Sequence, residues 1–245
     1  MGTLELSLVM PAYNERECIE HVVQSWLSVL DSLHVSYIVT VLDDGSTDGM
    51  EEALSLFEHD ARVRVIRKPN SGHGPTILAG YAIACREAEW VFQCDADDEM
   101  PAEAFPGLWE RRDGYDALFG YREARVQGTG RRLISAASRF IVGLLYGRTV
   151  RDVNTPYRLM RSEVLAPLID VIPADTFAPN VTISGGIALA GLRVLNVPVE
   201  HQHRRTGSVS IVRWRLWKSA LRAAWQTVRI RPSLGRVARR MAQRS

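Results

Sequence analysis

"VFQCDADDEM", residues 91–100, runs an apolar strand-like segment straight into four acidic side chains, Asp95, Asp97, Asp98 and Glu99. Carboxylates this close raise one another's energy unless a cation neutralises them. Alternate residues of an extended chain point to the same side, so Asp95, Asp97 and Glu99 are expected to present oxygens to one hard cation, Mg²⁺ or Mn²⁺. A solvated acidic loop is the other reading of D-x-D. Its position at the end of an apolar strand, beside two other polar strand ends, favours the metal.

Working outward, "LELSLVM" (4–10), "YIVTVL" (37–42), "VRVI" (63–66) and "WVFQC" (90–94) read as buried strands. Between them lie helical patterns. Ile19, Val22, Val23, Trp26, Leu30 and Leu33 fall on one face; Met50, Leu54 and Phe57 mark a short helix; Ile77, Leu78, Tyr81 and Cys85 mark a third, with Pro75 in its first turn. This alternation predicts an α/β fold, an open, mostly parallel sheet with helices on both faces. Ligands of such sheets bind beyond the carboxyl ends of the strands. Three polar clusters fall there: "PAYNE" (11–15), "DDGSTDG" (43–49) and "DADDEM" (95–100). Later segments give a strand at 116–122, a helix at 131–147, an edge strand at 157–160, a helix at 181–190 and a strand at 193–199.

Composition fits a globular protein of one domain, with 46% hydrophobic and 24% charged residues. Cys18, Cys85 and Cys94 are scattered and form no CxxC pair, which predicts reduced core thiols rather than a disulfide framework or zinc site. The first residues have no basic n-region, Leu6 stands where a myristoylation site needs Ser or Thr, and "LISAASRFIVGLLYG" (133–147) is interrupted by Arg139. Neither a signal peptide nor a membrane-spanning helix is expected, since a span needs ~20 apolar residues. The net charge of +2 conceals a division: residues 201–245 hold 12 Lys/Arg and no Asp/Glu, leaving 18 basic against 28 acidic residues before them. We expect a domain over 1–210 and a basic amphipathic helix or tail over 211–245.

In "VLDDGSTDG", Asp43 and Asp44 stand where an acidic side chain accepts from a nucleobase or ribose. Turn formation and helix capping by Ser46, Thr47 and Asp48 is the other reading. "PAYNE" offers Tyr13 as a ring to stack on a base and Glu15 near a helix start, against a plain cap by Asn14. His201 and His203 read as surface histidines beside a basic loop, with His203 kept as a minor candidate for the site, and His73 as shaping the Gly-rich loop.

"PAYNE", "DDGSTDG", "NSGHGPTILAGY" and "DADD" in this order, with "GYR" (120–122), "DVNTPYRLM" (152–160) and "HRRTGSVS" (203–210), resemble the GT-A fold glycosyltransferases of family 2, in the branch of the polyprenyl (dolichol)-phosphate mannosyl- and glucosyltransferases. The resemblance implies that Pro11, Tyr13, Glu15 and Asp44 line the nucleotide, and that Asp95 and Asp97 hold the metal with Glu99 beside them. It implies that Arg122 and Arg158 face donor or acceptor phosphate, and that Arg204 or Arg205 clamps phosphate. Asp152 is read as an acceptor base or acceptor-positioning group, with a turn aspartate as the alternative.

The implied activity is metal-dependent, inverting transfer of a hexose from a GDP- or UDP-sugar to a polyprenyl phosphate at the cytoplasmic membrane face. Two alternatives stand beside it: a sugar or other hydroxyl acceptor, and a noncatalytic sugar-nucleotide binder that recruits a partner to membranes. In "RWRLWKSALRAAWQTVRIR" (213–231), Trp214, Trp217, Leu221, Ala224, Trp225 and Val228 recur at helical spacing among Arg and Lys. That pattern suits a helix lying in a bilayer interface, or else one packed on the domain. Nucleic acid is not expected as a partner, given the acidic first 200 residues.

Overall fold

The computed structural model describes residues 3–122, 154–200 and 213–243, with side chains described from 225 onward in the last stretch. Strand β1 (Leu4–Ala12) leads through helix α1 (Arg16–Ser32) to β2 (Tyr37–Asp43), and α2 (Met50–Leu54) to β3 (Val63–Arg67). Helix α3 (His73–Glu87) precedes β4 (Ala88–Gln93), and α4 (Phe105–Trp109) precedes β5 (Ala117–Arg122). After the undescribed residues come β6 (Arg158–Arg161), α5 (Ser162–Ile169), α6 (Pro179–Leu189), β7 (Val194–Val199) and α7 (Arg213–Ala242).

Among the described residues the sheet has seven strands in the order β3-β2-β1-β4-β6-β5-β7. The first four run parallel, β6 runs antiparallel to β4 and β5, and β7 is parallel to β5. The expected open, mostly parallel sheet is therefore present. One expectation fails: 157–160 is not an edge strand but lies between β4 and β5. A four-residue strand that is buried on both faces carries no sequence mark of how many neighbours it has.

Strand side chains alternate between two cores. Leu6, Leu8 and Met10 of β1, Val39 and Val41 of β2, and Trp90 and Phe92 of β4 face α1. Val9, Leu42 and Val91 face the opposite layer with α3, α5, α6 and α7. In the first core Trp26 of α1 meets Phe92 at 5.1 Å and Phe105 at 5.6 Å, and Phe92 meets Tyr157 edge-on at 4.8 Å. Such ring pairs contribute about 0.5–1.5 kcal/mol each beyond their burial.

The chain leaves β1 toward β2 on one side and returns to β4 on the other, which opens a crevice at the carboxyl end of β1. Helix α7 contributes Ile230 and Leu234 to the second core and buries Ala238 as well, while Trp225 and Val228 are 60% and 52% exposed. The expected boundary at 210/211 lies outside the described residues. No helix among the described residues is long and apolar enough to cross a membrane.

Candidate active site

Two of the polar clusters are fastened to each other. The Asn14 N–H donates to Ser46 Oγ at 2.9 Å, and Asn14 Oδ1 accepts the Thr47 N–H at 2.8 Å. Asp48 accepts the Arg16 N–H with one oxygen and the Met50 N–H with the other, so a single carboxylate serves the starts of α1 and α2. Asp48 therefore caps as its residue type suggests, whereas Asn14, at φ 56°, spends its side chain across the gap on Thr47 instead of capping α1. Held this way, the turn after β1 leaves Tyr13 48% exposed on the crevice.

Asp44, the residue after β2, faces the Gly-rich loop. One oxygen pairs with the Lys68 ammonium and accepts the Ser71 N–H at 2.9 Å; the other accepts the Gly72 N–H at 2.8 Å. Burial pushes this carboxyl up, but Lys68 and the loop N–H groups outweigh burial and hold it below the ordinary carboxylate range. Gly45 makes the tight approach possible: at φ 73°, a Cβ there would sit 2.9 Å from the Asn70 nitrogen.

Asp43, expected on the nucleotide, is placed elsewhere. It is 2% exposed, accepts the Ser46 N–H at 2.8 Å, and lies 3.6 Å from Arg67 Nε. Adjacent strand residues face opposite ways, so only one of the two aspartates reaches the crevice, and it is Asp44.

Strand β4 ends at Gln93, the chain bends from Ala96 onward, and Asp98 takes φ 56°. Strand alternation therefore stops before the acidic run is complete. Asp95 and Asp97 line the crevice but Glu99 does not, and its backbone N–H instead donates to Asp97 Oδ1 at 3.2 Å. Among the described residues no three His, Cys, Asp or Glu side chains converge to hold a metal, which corrects the expectation of a three-carboxylate site. Two carboxylates still fit Mg²⁺ or Mn²⁺, which are commonly held by one or two carboxylates, with substrate phosphate oxygens and water filling the other positions.

These elements enclose a cleft of about 240 Å³ lined by Pro11, Tyr13, Glu15, Asp44, Asp95 and Asp97, with Asn70, Gly72, His73 and Thr76 of the Gly-rich loop and α3 opposite. His73 Nε2 stands 3.7 Å from Asp95 Oδ1. Cys18 donates to the Ala96 carbonyl at 3.2 Å, under the turn between Asp95 and Asp97. The cysteines are free, and burial pushes the Cys85 thiol up to about 12.

Arg158, expected on phosphate, is a core group. It is fully buried, with Nε donating to the Thr155 carbonyl at 3.1 Å, Nη1 to the Asn180 carbonyl at 3.1 Å and Nη2 to Ser184 Oγ at 3.0 Å, over the ring of Phe119. The internal position of β6 turns this side chain into the layer shared with α6. Arg122 closes β5 opposite Val199 in register, its side chain lying outside what is described. Asp152, His201, His203, Arg204 and Arg205 also lie outside the described residues.

Sequence reasoning missed Lys68 as the partner of Asp44, and Asn70 and Thr76 as cleft walls. A lysine next to "PNSGHG" was the available signal for the first. Gln93 and Asn180, which meet beneath Asp95, lie 87 residues apart and left none.

A family model described as "Glycosyl transferase family 2" matches residues 7–168. The chain is 30% identical over 209 residues to an undecaprenyl-phosphate 4-deoxy-4-formamido-L-arabinose transferase of Edwardsiella ictaluri (strain 93-146), covering 82% of this chain and 61% of that protein. It is 25% identical over 222 residues to the uncharacterized glycosyltransferase sll0501 of Synechocystis sp. (strain ATCC 27184 / PCC 6803 / Kazusa), covering 89% and 68%. The chain thus spans 61% and 68% of the length of these curated relatives. A crystal structure of glucosyl-3-phosphoglycerate synthase from Mycobacterium tuberculosis, in complex with Mn²⁺, UDP-glucose and phosphoglyceric acid, shares the fold, with a TM-score of 0.69 and 18% identity over 94% of this chain and 80% of that one. Since the family match runs from β1 into the last turn of α5 and takes in every strand end that forms the cleft, the chain belongs to glycosyl transferase family 2.

Proposed function

We propose that this chain transfers a hexose from a GDP- or UDP-sugar to a polyprenyl phosphate, with inversion at the anomeric carbon and with Mg²⁺ or Mn²⁺ bound, at the cytoplasmic face of a membrane. The observation that carries this reading is that Tyr13, Asp44, Asp95 and Asp97 share one cleft at the switch point of the sheet. The exposed Tyr13 ring offers a stacking face for the base, Pro11 and Glu15 flank it, and Asp44 holds the Gly-rich loop as the opposite wall. Asp95 and Asp97 would hold the cation, which when bound neutralises charge growing on the departing diphosphate.

The bond from the anomeric carbon to the diphosphate oxygen breaks as an acceptor oxygen bonds the opposite face of that carbon. A lipid phosphate is already an anion near neutral pH and needs no base, whereas a hydroxyl acceptor would need one in reach, the role proposed for Asp152. Arg122, Arg204 and Arg205 are proposed to meet donor or acceptor phosphate. The lipid acceptor is supported by the named activity of the Edwardsiella ictaluri relative. Membrane contact is proposed through residues 211–245, whose exposed Trp225 and Val228 stand among arginines.

The test is incubation with labelled UDP-glucose or GDP-mannose, MnCl₂ and detergent-solubilised undecaprenyl phosphate. Lipid-linked sugar is expected, and Asp97→Asn should lower its formation by about 100-fold or more while the circular-dichroism melt is retained. Unimpaired Asp97→Asn would remove the metal role. Transfer to sugar hydroxyls with a strict need for Asp152 would support the alternative acceptor. Donor binding without transfer or hydrolysis would leave a noncatalytic binder.

A further inference from the structure

Behind the cleft, a chain of buried polar side chains ends on Asp95. Gln93, Tyr81 and Arg158 are fully buried, Asn180 is 3% exposed and Ser184 1%. Gln93 Nε2 donates to Asp95 Oδ1 at 3.1 Å. Gln93 Oε1 accepts Asn180 Nδ2 at 2.8 Å and the Tyr81 hydroxyl at 3.0 Å, and that hydroxyl also lies 3.1 Å from Asn180 Oδ1. The Asn180 carbonyl in turn accepts Arg158 Nη1 at 3.1 Å.

The direction of this chain follows from chemistry alone. Gln93 turns its NH₂ toward Asp95 and its carbonyl oxygen inward, where Asn180 Nδ2 and the Tyr81 hydroxyl meet it. That oxygen requires a donor, so Asn180 must present its own NH₂. Burial raises the Tyr81 phenol above its ordinary range, so the hydroxyl remains a proton donor. Asn180 thus donates to Gln93 and Gln93 to Asp95, while the single Tyr81 proton serves either Gln93 Oε1 or Asn180 Oδ1. Among the described residues the hydrogen bond and the His73 contact of Asp95 both fall on Oδ1, and Asp95 itself lines the cleft.

We propose that Gln93 is a positioning residue that holds Asp95 with one oxygen on the protein and the other on the cation, and that Asn180 orients Gln93 for this task. The inference rests on the cation reading above and adds to it which residues set the geometry of the ligand. It also gives the buried Arg158 a part: by gripping Asn180 it ties the 154–158 segment to the metal side of the cleft. Partners behind a metal ligand fix its rotamer, and removing one costs about 10–100-fold in metal affinity.

The test measures Mn²⁺ binding to the full chain by the electron paramagnetic resonance signal of free Mn²⁺, with UDP and with GDP present. Gln93→Met keeps volume and leaves Tyr81 and Asn180 bonded to each other, so the core remains filled. It is expected to weaken Mn²⁺ binding about tenfold or more. Asn180→Leu, which leaves Gln93 Oε1 only the Tyr81 hydroxyl, should weaken it less. Leu234→Ala, a packing change in the same core layer, should lower the melting temperature without altering Mn²⁺ affinity.

If Gln93→Met fails to fold, Gln93→Leu takes its place in the same titration. Wild-type Mn²⁺ affinity in the folded Gln93 variant overturns the positioning role alone. An equal loss in Leu234→Ala overturns it too, since general loosening would then suffice. Wild-type protein that takes up no Mn²⁺ with either nucleotide overturns the cation reading beneath it.

Discussion

Asp43 and Asp44 are chemically identical neighbours at one strand end, yet one closes a turn and the other holds a wall of the cleft. The second is the more consequential because Lys68, the Ser71 N–H and the Gly72 N–H all converge on it. Its carboxyl titrates below the ordinary value of 3.8 in the folded chain, so its stabilisation is complete above that value and is lost as pH falls through the folded value. Asp44→Asn is expected to cost about 1.5–3 kcal/mol at neutral pH, the range for hydrogen bonds to a charged group. Urea denaturation should show the gap to wild type closing below about pH 4. A gap that stays constant from pH 7 to pH 3 would mean the charge contributes nothing. At this scale residue type was legible from sequence, since "DDGSTDG" announced carboxylates at a strand end. Which carboxylate faces the cleft was not, because that depends on the pleat of a strand whose last residue the sequence leaves uncertain.

Elements were legible where their pattern is local. Strands β1 to β4 and helices α1 and α3 follow the apolar spacing closely, because a buried face needs its residues at the repeat of the element. The short β6 was legible as a strand and not as an interior one. Its place between β4 and β5 decides that Arg158 meets α6 instead of phosphate. Helix α3 shows the same dependence on neighbours. A Cβ at Gly74 would lie 2.2 Å from the Thr176 carbonyl and 2.5 Å from that of Phe177, both backbone atoms of the segment before α6. Gly74→Ala should therefore displace the start of α3, costing about 1–3 kcal/mol by overpacking. Because Gly72, His73 and Thr76 of the same stretch line the cleft, the donor KM should rise with it. A variant with unchanged urea midpoint and unchanged KM would show that the loop yields freely.

At the scale of the molecule, the acidic first 200 residues carry the cleft and the basic last 45 carry α7, whose two faces differ in burial. Ile230, Leu234 and Ala238 are buried in the core, while Trp225 and Val228 stand exposed with Arg229 over the Trp225 ring. The buried side is that of a helix packed on the domain, and the exposed side is the one proposed to face a bilayer. We expect sedimentation with phosphatidylglycerol vesicles but not with phosphatidylcholine vesicles, weakened by added salt. Trp225→Ala with Val228→Ala should reduce it about tenfold or more, from the apolar area withheld from the interface. Equal binding to both vesicle types, or by the double variant, would remove the membrane role of this face.

By itself the sequence determined the α/β class, the order of the elements and the set of acids offered at the strand ends, because periodicity and strand termini are properties of contiguous residues. Tertiary structure alone decided which of those acids meet. It set Asp44 on Lys68 and the loop, brought two carboxylates of the acidic run, Asp95 and Asp97, to the cleft, and placed Gln93 against Asn180. Each of these is a contact between residues distant along the chain, and only the closing of the sheet brings their atoms within bonding distance.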